Sequence, residues 1–298
     1  MSGVLITGAS GMLGHRLVLE FVARGFEVHS IVRSGDSDGF LSAAPLRGSK
    51  VHTGIDLLNF KTLEHVIRHV SPEVVVNAAG LIKQKTVDGD NGSLDLVNAD
   101  LPRAIGNLSE EFGFRFIQIS TDCVFKGTRG KYSESDIPDC SDEYGISKFR
   151  GENCGTGALV LRTSIVGREL KDAFGLLEWF LTQRGGKVAG FESAFFSGLT
   201  TNELARIVSS IIETQPMLQG LYHVAGERIS KAALLEIANE VFDAAVTIER
   251  TSEPFIDRSL DSRAFNEVTG YEPPGWKEML TRVAADSHLY EKWRMRNC

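Results

Sequence analysis

A short apolar run, Val4-Leu5-Ile6, leads straight into Thr7-Gly-Ala-Ser-Gly-Met-Leu-Gly14, and this junction constrains the fold more than any other stretch. Beyond it Leu13, Leu17 and Phe21 recur at helical spacing, so the order reads strand, tight turn, helix. Gly8, Gly11 and Gly14 follow G-x-x-G-x-x-G, one residue longer at its start than the G-x-G-x-x-G fingerprint. The physical logic is the same. Glycine permits the turn and lets backbone approach a pyrophosphate, and the helix N-terminus offers unpaired N–H groups to an anion. Ser10, Met12 and Leu13 share the turn and count with the glycines as dinucleotide contacts.

The alternation continues downstream. Strands are predicted over Phe26–Val32, Glu73–Asn77, Arg115–Ser120 and Ala158–Val166, and helices over Met12–Arg24, Asn59–His69 and Leu94–Glu111. Such a pattern predicts an α/β fold, a Rossmann-type doubly wound parallel sheet covered on both faces. After Val166 the texture becomes irregular: helices Phe174–Gln183, Asn202–Glu213 and Lys231–Phe242, a glycine-rich stretch over Gly185–Gly198, and a strand over Leu221–Ala225. This half reads as one returning strand plus a smaller C-terminal substrate lobe. The expected division is residues 1–167 with about 203–225 for the dinucleotide, and about 168–202 with 226–298 for the substrate.

Composition narrows the classes. Of 298 residues, 42% are hydrophobic and 24% charged, an ordinary globular balance, and the net charge of -7 gives no electrostatic case for nucleic acid or an anionic membrane. The N-terminus shows no basic leader or long apolar segment, so a cytoplasmic protein is expected. Cys123, Cys140, Cys154 and Cys298 have no metal-ligand spacing and read as reduced thiols; no metal is expected.

Tyr144-Gly-Ile-Ser-Lys148 places a phenol and an ammonium at i and i+4, on one face of a helix. A neighbouring cation favours the phenolate, bringing the tyrosine closer to working pH as a proton donor and acceptor. That is chemistry for carbonyl reduction or alcohol oxidation. At the end of the second strand, Val28-His-Ser-Ile-Val32-Arg33 lacks the acidic residue that would meet ribose hydroxyls, and Arg33 can meet a 2′-phosphate instead. NADP(H) is therefore preferred, with NAD(H) allowed.

With Asp56-Leu57, Asn77-Ala-Ala-Gly80, Ser120-Thr-Asp-Cys-Val-Phe125, Tyr132-x-Glu134, Gly151-Glu152 and Leu161-Arg-Thr-Ser164 added, the chain resembles the extended short-chain dehydrogenase/reductase family, and more closely its dTDP-4-dehydrorhamnose reductase branch. The resemblance spans almost the whole chain. It implies that Asp56 and Leu57 edge the adenine, that Ala78, Ala79 and Gly80 line the cofactor path, and that Ser164 and Ile165 lie near the nicotinamide amide. It further implies that Thr121 bonds the reacting carbonyl, Lys148 grips the nicotinamide ribose, and Tyr144 protonates the oxygen as hydride arrives. Asp122 either takes part or organises the turn.

Position 123 separates chemistries. Sugar-nucleotide 4,6-dehydratases of the superfamily carry Thr-Asp-Glu, an acid and a base for elimination, whereas this chain has Thr121-Asp122-Cys123. Simple reduction is favoured. The branch often has tyrosine here, so Cys123 is a departure, read as a small residue lining the substrate pocket. Lys83 is placed either to touch sugar or diphosphate or to sit in solvent, and Arg258 either to grip phosphate or to pair with a nearby carboxylate. Thr200 to Asn202 read as a helix cap, and Trp179, Phe191, Phe195 and Phe196 as lobe core, with one of them available to stack on a pyrimidine.

The expected function is NADPH-dependent reduction of the C4 keto group of a nucleotide-activated 4-keto-6-deoxy sugar, dTDP- or UDP-linked, for polysaccharide or glycoconjugate synthesis. The expected partner is that sugar nucleotide, with a homodimer allowed. Two rivals stay open: a non-catalytic dinucleotide-binding regulatory subunit, since a close branch partners methionine adenosyltransferase, and a sugar-nucleotide epimerase.

Overall fold

The computed structural model describes residues 3–33, 45–82 and 92–295. Its main sheet has seven strands, all parallel: β1 Gly3–Thr7, β2 Glu27–Ile31, β3 Lys50–His52, β4 Val74–Asn77, β5 Arg115–Thr121, β6 Leu159–Thr163 and β7 Gly220–His223. Their spatial order is 7-6-5-4-1-2-3. The strand order reverses between β1 and β4, which opens a crevice at the carboxyl ends of those strands.

Alternation along each strand explains the two covered faces. Val4 and Ile6, Val74 and Val76, Ile117 and Ile119, and Leu159 and Leu161 point into one core cluster. Leu5, Val75, Phe116 and Val160 point into the other. Successive side chains of a strand face opposite ways, so a strand apolar throughout can only sit between two layers. Helices Gly14–Ala23 and Thr201–Thr214 cover the first face with Leu17, Phe21, Leu204 and Val208. Helices Phe60–Val70 and Leu101–Phe112 cover the second with Leu63, Ile67, Leu101 and Ile105. Each wholly buried Leu, Ile or Phe contributes about 1.5–3 kcal/mol.

Capping chemistry sets the helix starts. Asn59, Asp142, Thr200 and Ser230 each accept a bond from the backbone N–H three residues on. Thr200 is thus the cap read from the sequence. The first helix stops before Gly25, whose φ is 82°.

Three differences from the sequence reading bear on the site. The strand read as Ala158–Val166 breaks at Ser164 into β6 and the short strand Ile165–Val166, which pairs with Leu199–Thr200 instead of the main sheet. The helix read as Leu94–Glu111 contains a π-helical segment, Leu96–Asp100. β3 was not foreseen, and at three residues it carries too little periodicity to stand out. The smaller C-terminal elements include Lys187–Phe191 paired with Thr247–Thr251, and Ala194–Phe196 between Ile229–Ser230 and Ile256–Asp257. Among the described residues no helix is long and apolar enough to cross a membrane.

Candidate active site

The crevice at the switch point is a cavity of ≈ 400 Å³, walled by the glycine turn after β1, the loop after β4, the end of β5, the Tyr144 helix and the segment after β6. Its floor is tied together by polar side chains. Thr7 Oγ1 donates to Asn77 Oδ1 at 2.5 Å, and Asn77 Nδ2 donates to Gln118 Oε1 at 2.8 Å, joining the ends of β1 and β4 to the middle of β5. Behind it, Asn98 accepts from Leu81 N at 2.9 Å, and its Nδ2 lies 2.9 Å from Leu81 O and 3.1 Å from Ser147 Oγ. The π-helical segment puts Asn98 in place to clamp the loop after β4 onto the Tyr144 helix.

The glycine turn is built as the sequence implied. Gly8 has φ of 66°, and a Cβ there would meet the Ala79 backbone at 2.7 Å; a Cβ at Gly14 would collide with the Gly8 carbonyl. Gly8 and Gly14 therefore shape the turn from behind, while Gly11, Met12 and Leu13 line the cleft. The helix that follows has no side-chain cap and no acidic residue in its first turn. Its terminal N–H groups and dipole suit the phosphates of a dinucleotide, so the residues present fit that group.

Thr121 ends β5 and caps a short 3-10 turn, accepting from Cys123 N at 3.2 Å and donating to Asp122 Oδ1 at 3.2 Å. Helix Glu143–Arg150 presents Tyr144 and Lys148 to the same cleft. It can lie this close because position 145 is glycine: a Cβ would strike the Cys123 carbonyl and come within 2.8 Å of Cys140 Cβ. Lys148 is buried and donates through Nζ to the Ile119 carbonyl at 2.7 Å.

The electrostatics differ from the sequence expectation. Burial pushes the Tyr144 phenol up, and neighbouring Cys123 adds to the effect, while a hydrogen bond from Thr121 works against it. Burial brings the Lys148 ammonium down to about 8, partly opposed by Glu152. Lys148 directs its Nζ at the Ile119 carbonyl, and burial keeps the Tyr144 phenol protonated. Burial raises the Asp122 carboxyl, and burial with Asp122 beside it pushes the Cys123 thiol up to about 12. Cys123 is a thiol that lines the cleft rather than a nucleophile.

A second polar layer backs these groups. Arg162 on β6 bonds Glu152 through Nε at 2.8 Å and Nη2 at 2.7 Å, and Ser120 Oγ donates to Glu152 at 2.6 Å. Arg162 Nη1 lies 3.2 Å from His223 Nε2 on β7, and His223 Nδ1 lies 2.9 Å from the Tyr132 carbonyl. Glu134 accepts from His223 N at 2.8 Å. The motif residues Tyr132, Glu134, Glu152 and Arg162 thus meet in one hydrogen-bonded network, with Glu134 half-buried at its edge.

The cleft brings together most of the residues singled out from the sequence: Gly11, Met12, Leu13, Ala78, Ala79, Gly80, Thr121, Cys123, Tyr144, Lys148, Ser164 and Ile165. Ser10 is half-buried in the same turn but does not line the cavity. Arg33 is exposed past the end of β2, and Ile55 N donates to Val32 O at 3.3 Å, so Asp56 and Leu57 lie along that same edge, outside the cavity. Asp56 accepts from Leu58 N, forming a turn, and Leu57 packs on the second core cluster. Arg258 anchors its Nε on the Phe125 carbonyl at 2.8 Å and brings Nη1 to 3.7 Å from Cys123 Sγ. Lys83 lies outside the described residues.

Glu169, Phe174 and Gly175 also wall the cleft and were not foreseen. The helix expected over Phe174–Gln183 starts only at Leu176, which leaves Phe174 and Gly175 in the connection after β6, folded back beside Met12, whose Sδ would lie 3.2 Å from a Cβ at Gly175. Phe174, not one of the four lobe aromatics, stands at the rim, 46% exposed.

Comparison with known proteins agrees with this architecture. A family model described as RmlD substrate binding domain matches residues 1–288. Methionine adenosyltransferase 2 subunit beta of Bos taurus is 33% identical over 175 residues, 56% of this chain and 48% of that protein. The chain therefore spans about half the length of that relative. dTDP-4-dehydrorhamnose reductase of Aggregatibacter actinomycetemcomitans is 25% identical, over 96% of this chain and 99% of that protein. The solved dTDP-4-dehydrorhamnose reductase of Bacillus anthracis, in complex with NADP, superposes with a TM-score of 0.76 over 96% of this chain and 100% of that one. At 20% identity that is a likeness of fold.

Proposed function

This chain belongs to the RmlD substrate binding domain family, the dTDP-4-dehydrorhamnose reductase-like branch of the extended short-chain dehydrogenase/reductases, and on that premise we propose that it reduces the C4 keto group of a nucleotide-activated 4-keto-6-deoxy sugar with NADPH. A reductase of this branch is an NAD(P)-dependent oxidoreductase. The observation that carries the reading is the convergence of Thr121, Tyr144 and Lys148 on the cleft that the glycine turn opens onto.

Gly11, Met12 and Leu13 would hold the pyrophosphate, Arg33 a 2′-phosphate, and Ala78 to Gly80 with Ser164 and Ile165 the path to the nicotinamide. When bound, that ring supplies a hydride to the carbonyl carbon. Thr121 Oγ would hold the carbonyl oxygen, and Tyr144 Oη would give it a proton as the C=O bond becomes C–OH. Lys148 would then stabilise the phenolate left behind, releasing its bond to Ile119. Residues 1–167 with about 203–225 would bind the dinucleotide, and most of the remainder the sugar nucleotide. Arg258, held at the Phe125 carbonyl, would reach a substrate phosphate across Cys123.

NADPH oxidation is to be followed against dTDP- and UDP-linked 4-keto-6-deoxy sugars, with product stereochemistry determined. Turnover of at least one is expected. NADPH binding with no turnover across the panel would instead support the regulatory reading that the named subunit relative suggests. An epimerase would carry bound dinucleotide through purification, visible in its absorbance.

A further inference from the structure

Two buried polar side chains sit behind the glycine turn and take no part in the chemistry above. His15, at the start of helix Gly14–Ala23, is wholly buried, and Tyr290 of helix Ser287–Met295 is 1% exposed. His15 Nδ1 lies 2.7 Å from the Gly11 carbonyl oxygen, and Nε2 lies 2.6 Å from Tyr290 Oη. A carbonyl only accepts, so Nδ1 carries the proton and donates it. Burial drives the imidazole pKa down to about 3, which keeps the ring neutral. A neutral ring protonated on Nδ1 has an acceptor at Nε2, so Tyr290 is the donor there.

This relay acts on one peptide plane. The Gly11 oxygen also accepts from His15 N at 3.2 Å. In a planar trans peptide C=O and N–H point opposite ways, so an oxygen held toward His15 turns the Met12 N–H to the other side of the turn. Gly11 and Met12 both line the cleft. The Tyr290 helix is itself seated by Arg16 with Asp286 at 2.9 Å and by Arg168 with Ser287 Oγ at 2.9 Å.

We propose that Tyr290 is a positioning residue for dinucleotide binding, fixing through His15 the tautomer and the Gly11–Met12 peptide orientation that present the Met12 N–H to a phosphate. The inference rests on the reading of the glycine turn as the dinucleotide site. Tyr290 lies beyond residues 1–288, so the donor of this brace falls outside the span that the family model matches, while His15 and Gly11 lie within it.

The test is Tyr290→Phe, which keeps the ring and removes the hydroxyl, both the donor to His15 and an acceptor for Arg16. NADPH affinity is measured by titration, beside steady-state kinetics and the melting temperature of the cofactor-free protein. Loss of the bond that fixes His15 is expected to raise the Kd and KM for NADPH about five- to tenfold. The kcat and the KM for the sugar nucleotide stay within about twofold, as expected when only uniform cofactor binding is lost, and the Met12 amide resonance shifts. Ser287→Ala removes a hydrogen bond from the same helix without touching His15 and is expected to leave NADPH affinity unchanged. Wild-type NADPH affinity or an unmoved Met12 amide in Tyr290→Phe, or equal weakening in Ser287→Ala, overturns the proposal. If the unmodified chain binds neither NADPH nor NADH, the functional reading falls and takes this inference with it.

Discussion

At Tyr144 and Lys148 burial acts in opposite directions on two neighbouring side chains, holding the phenol protonated and weakening the ammonium. Tyr144→Phe removes the proposed proton donor while keeping the ring. It is expected to lower kcat by at least about a hundredfold, in line with general acid catalysis, with NADPH affinity nearly unchanged by titration. Lys148 adds a stability argument. Its folded pKa of about 8 lies below the ordinary 10.5, so between those values the unfolded chain holds more protons, and stability gains from this group as pH rises through that window. Below about pH 8 the penalty of the buried ammonium is fully present. Lys148→Met is therefore expected to abolish turnover yet stabilise the fold at pH 7 by on the order of 1–3 kcal/mol. Urea denaturation at pH 7 and above pH 10 checks this, the gain shrinking at the higher pH.

Helix Glu143–Arg150 shows how an element is positioned by what one residue lacks. Asp142 caps it through Gly145 N at 2.9 Å, and the bare face of Gly145 lets it rest on the Cys123 backbone. Gly145→Ala is expected to cost about 1–3 kcal/mol by overpacking, and to reduce kcat more than NADPH affinity, because the displaced helix carries Tyr144 away from Thr121. Thermal denaturation and steady-state kinetics read the two effects separately. The helix, its tyrosine and its lysine were legible in the sequence because i and i+4 share a face whatever the helix packs on. The π-helical segment that aims Asn98 was not, since the hydrophobic spacing from Leu94 onward is that of an uninterrupted helix. Likewise Ser164, where the expected long strand breaks, has no glycine or proline beside it and is followed at once by the β-branched Ile165 and Val166, which continue the strand pattern.

Across the whole molecule, the buried Glu152–Arg162 pair links the Tyr144 helix to β6 and, through His223, to β7 and the Tyr132–Glu134 loop. Both side chains are under one-tenth exposed, so removing one charge leaves the other uncompensated. Glu152→Gln is expected to destabilise the protein by about 3–5 kcal/mol, read from the urea midpoint. The motif residues Tyr132, Glu134, Glu152 and Arg162 marked a family before the structure showed a physical reason for them: they share one hydrogen-bonded network that fastens strands β6 and β7 to the segment following the Tyr144 helix.

By itself the sequence determined the alternating parallel sheet, the glycine turn on its first connection and the Tyr144, Lys148 and Thr121 set, because each follows from spacing within one element or from a short motif in order. Tertiary structure alone decided which residues complete the site. Glu169, Phe174 and Gly175 close the cleft from the connection between β6 and the helix that starts at Leu176. Tyr290 reaches His15 across 275 positions of chain. Burial, set by every layer packed around a side chain, fixes the protonation of Tyr144, Lys148 and His15. Periodicity records only which way a residue faces along its own element, and these contacts depend on where distant elements come to rest.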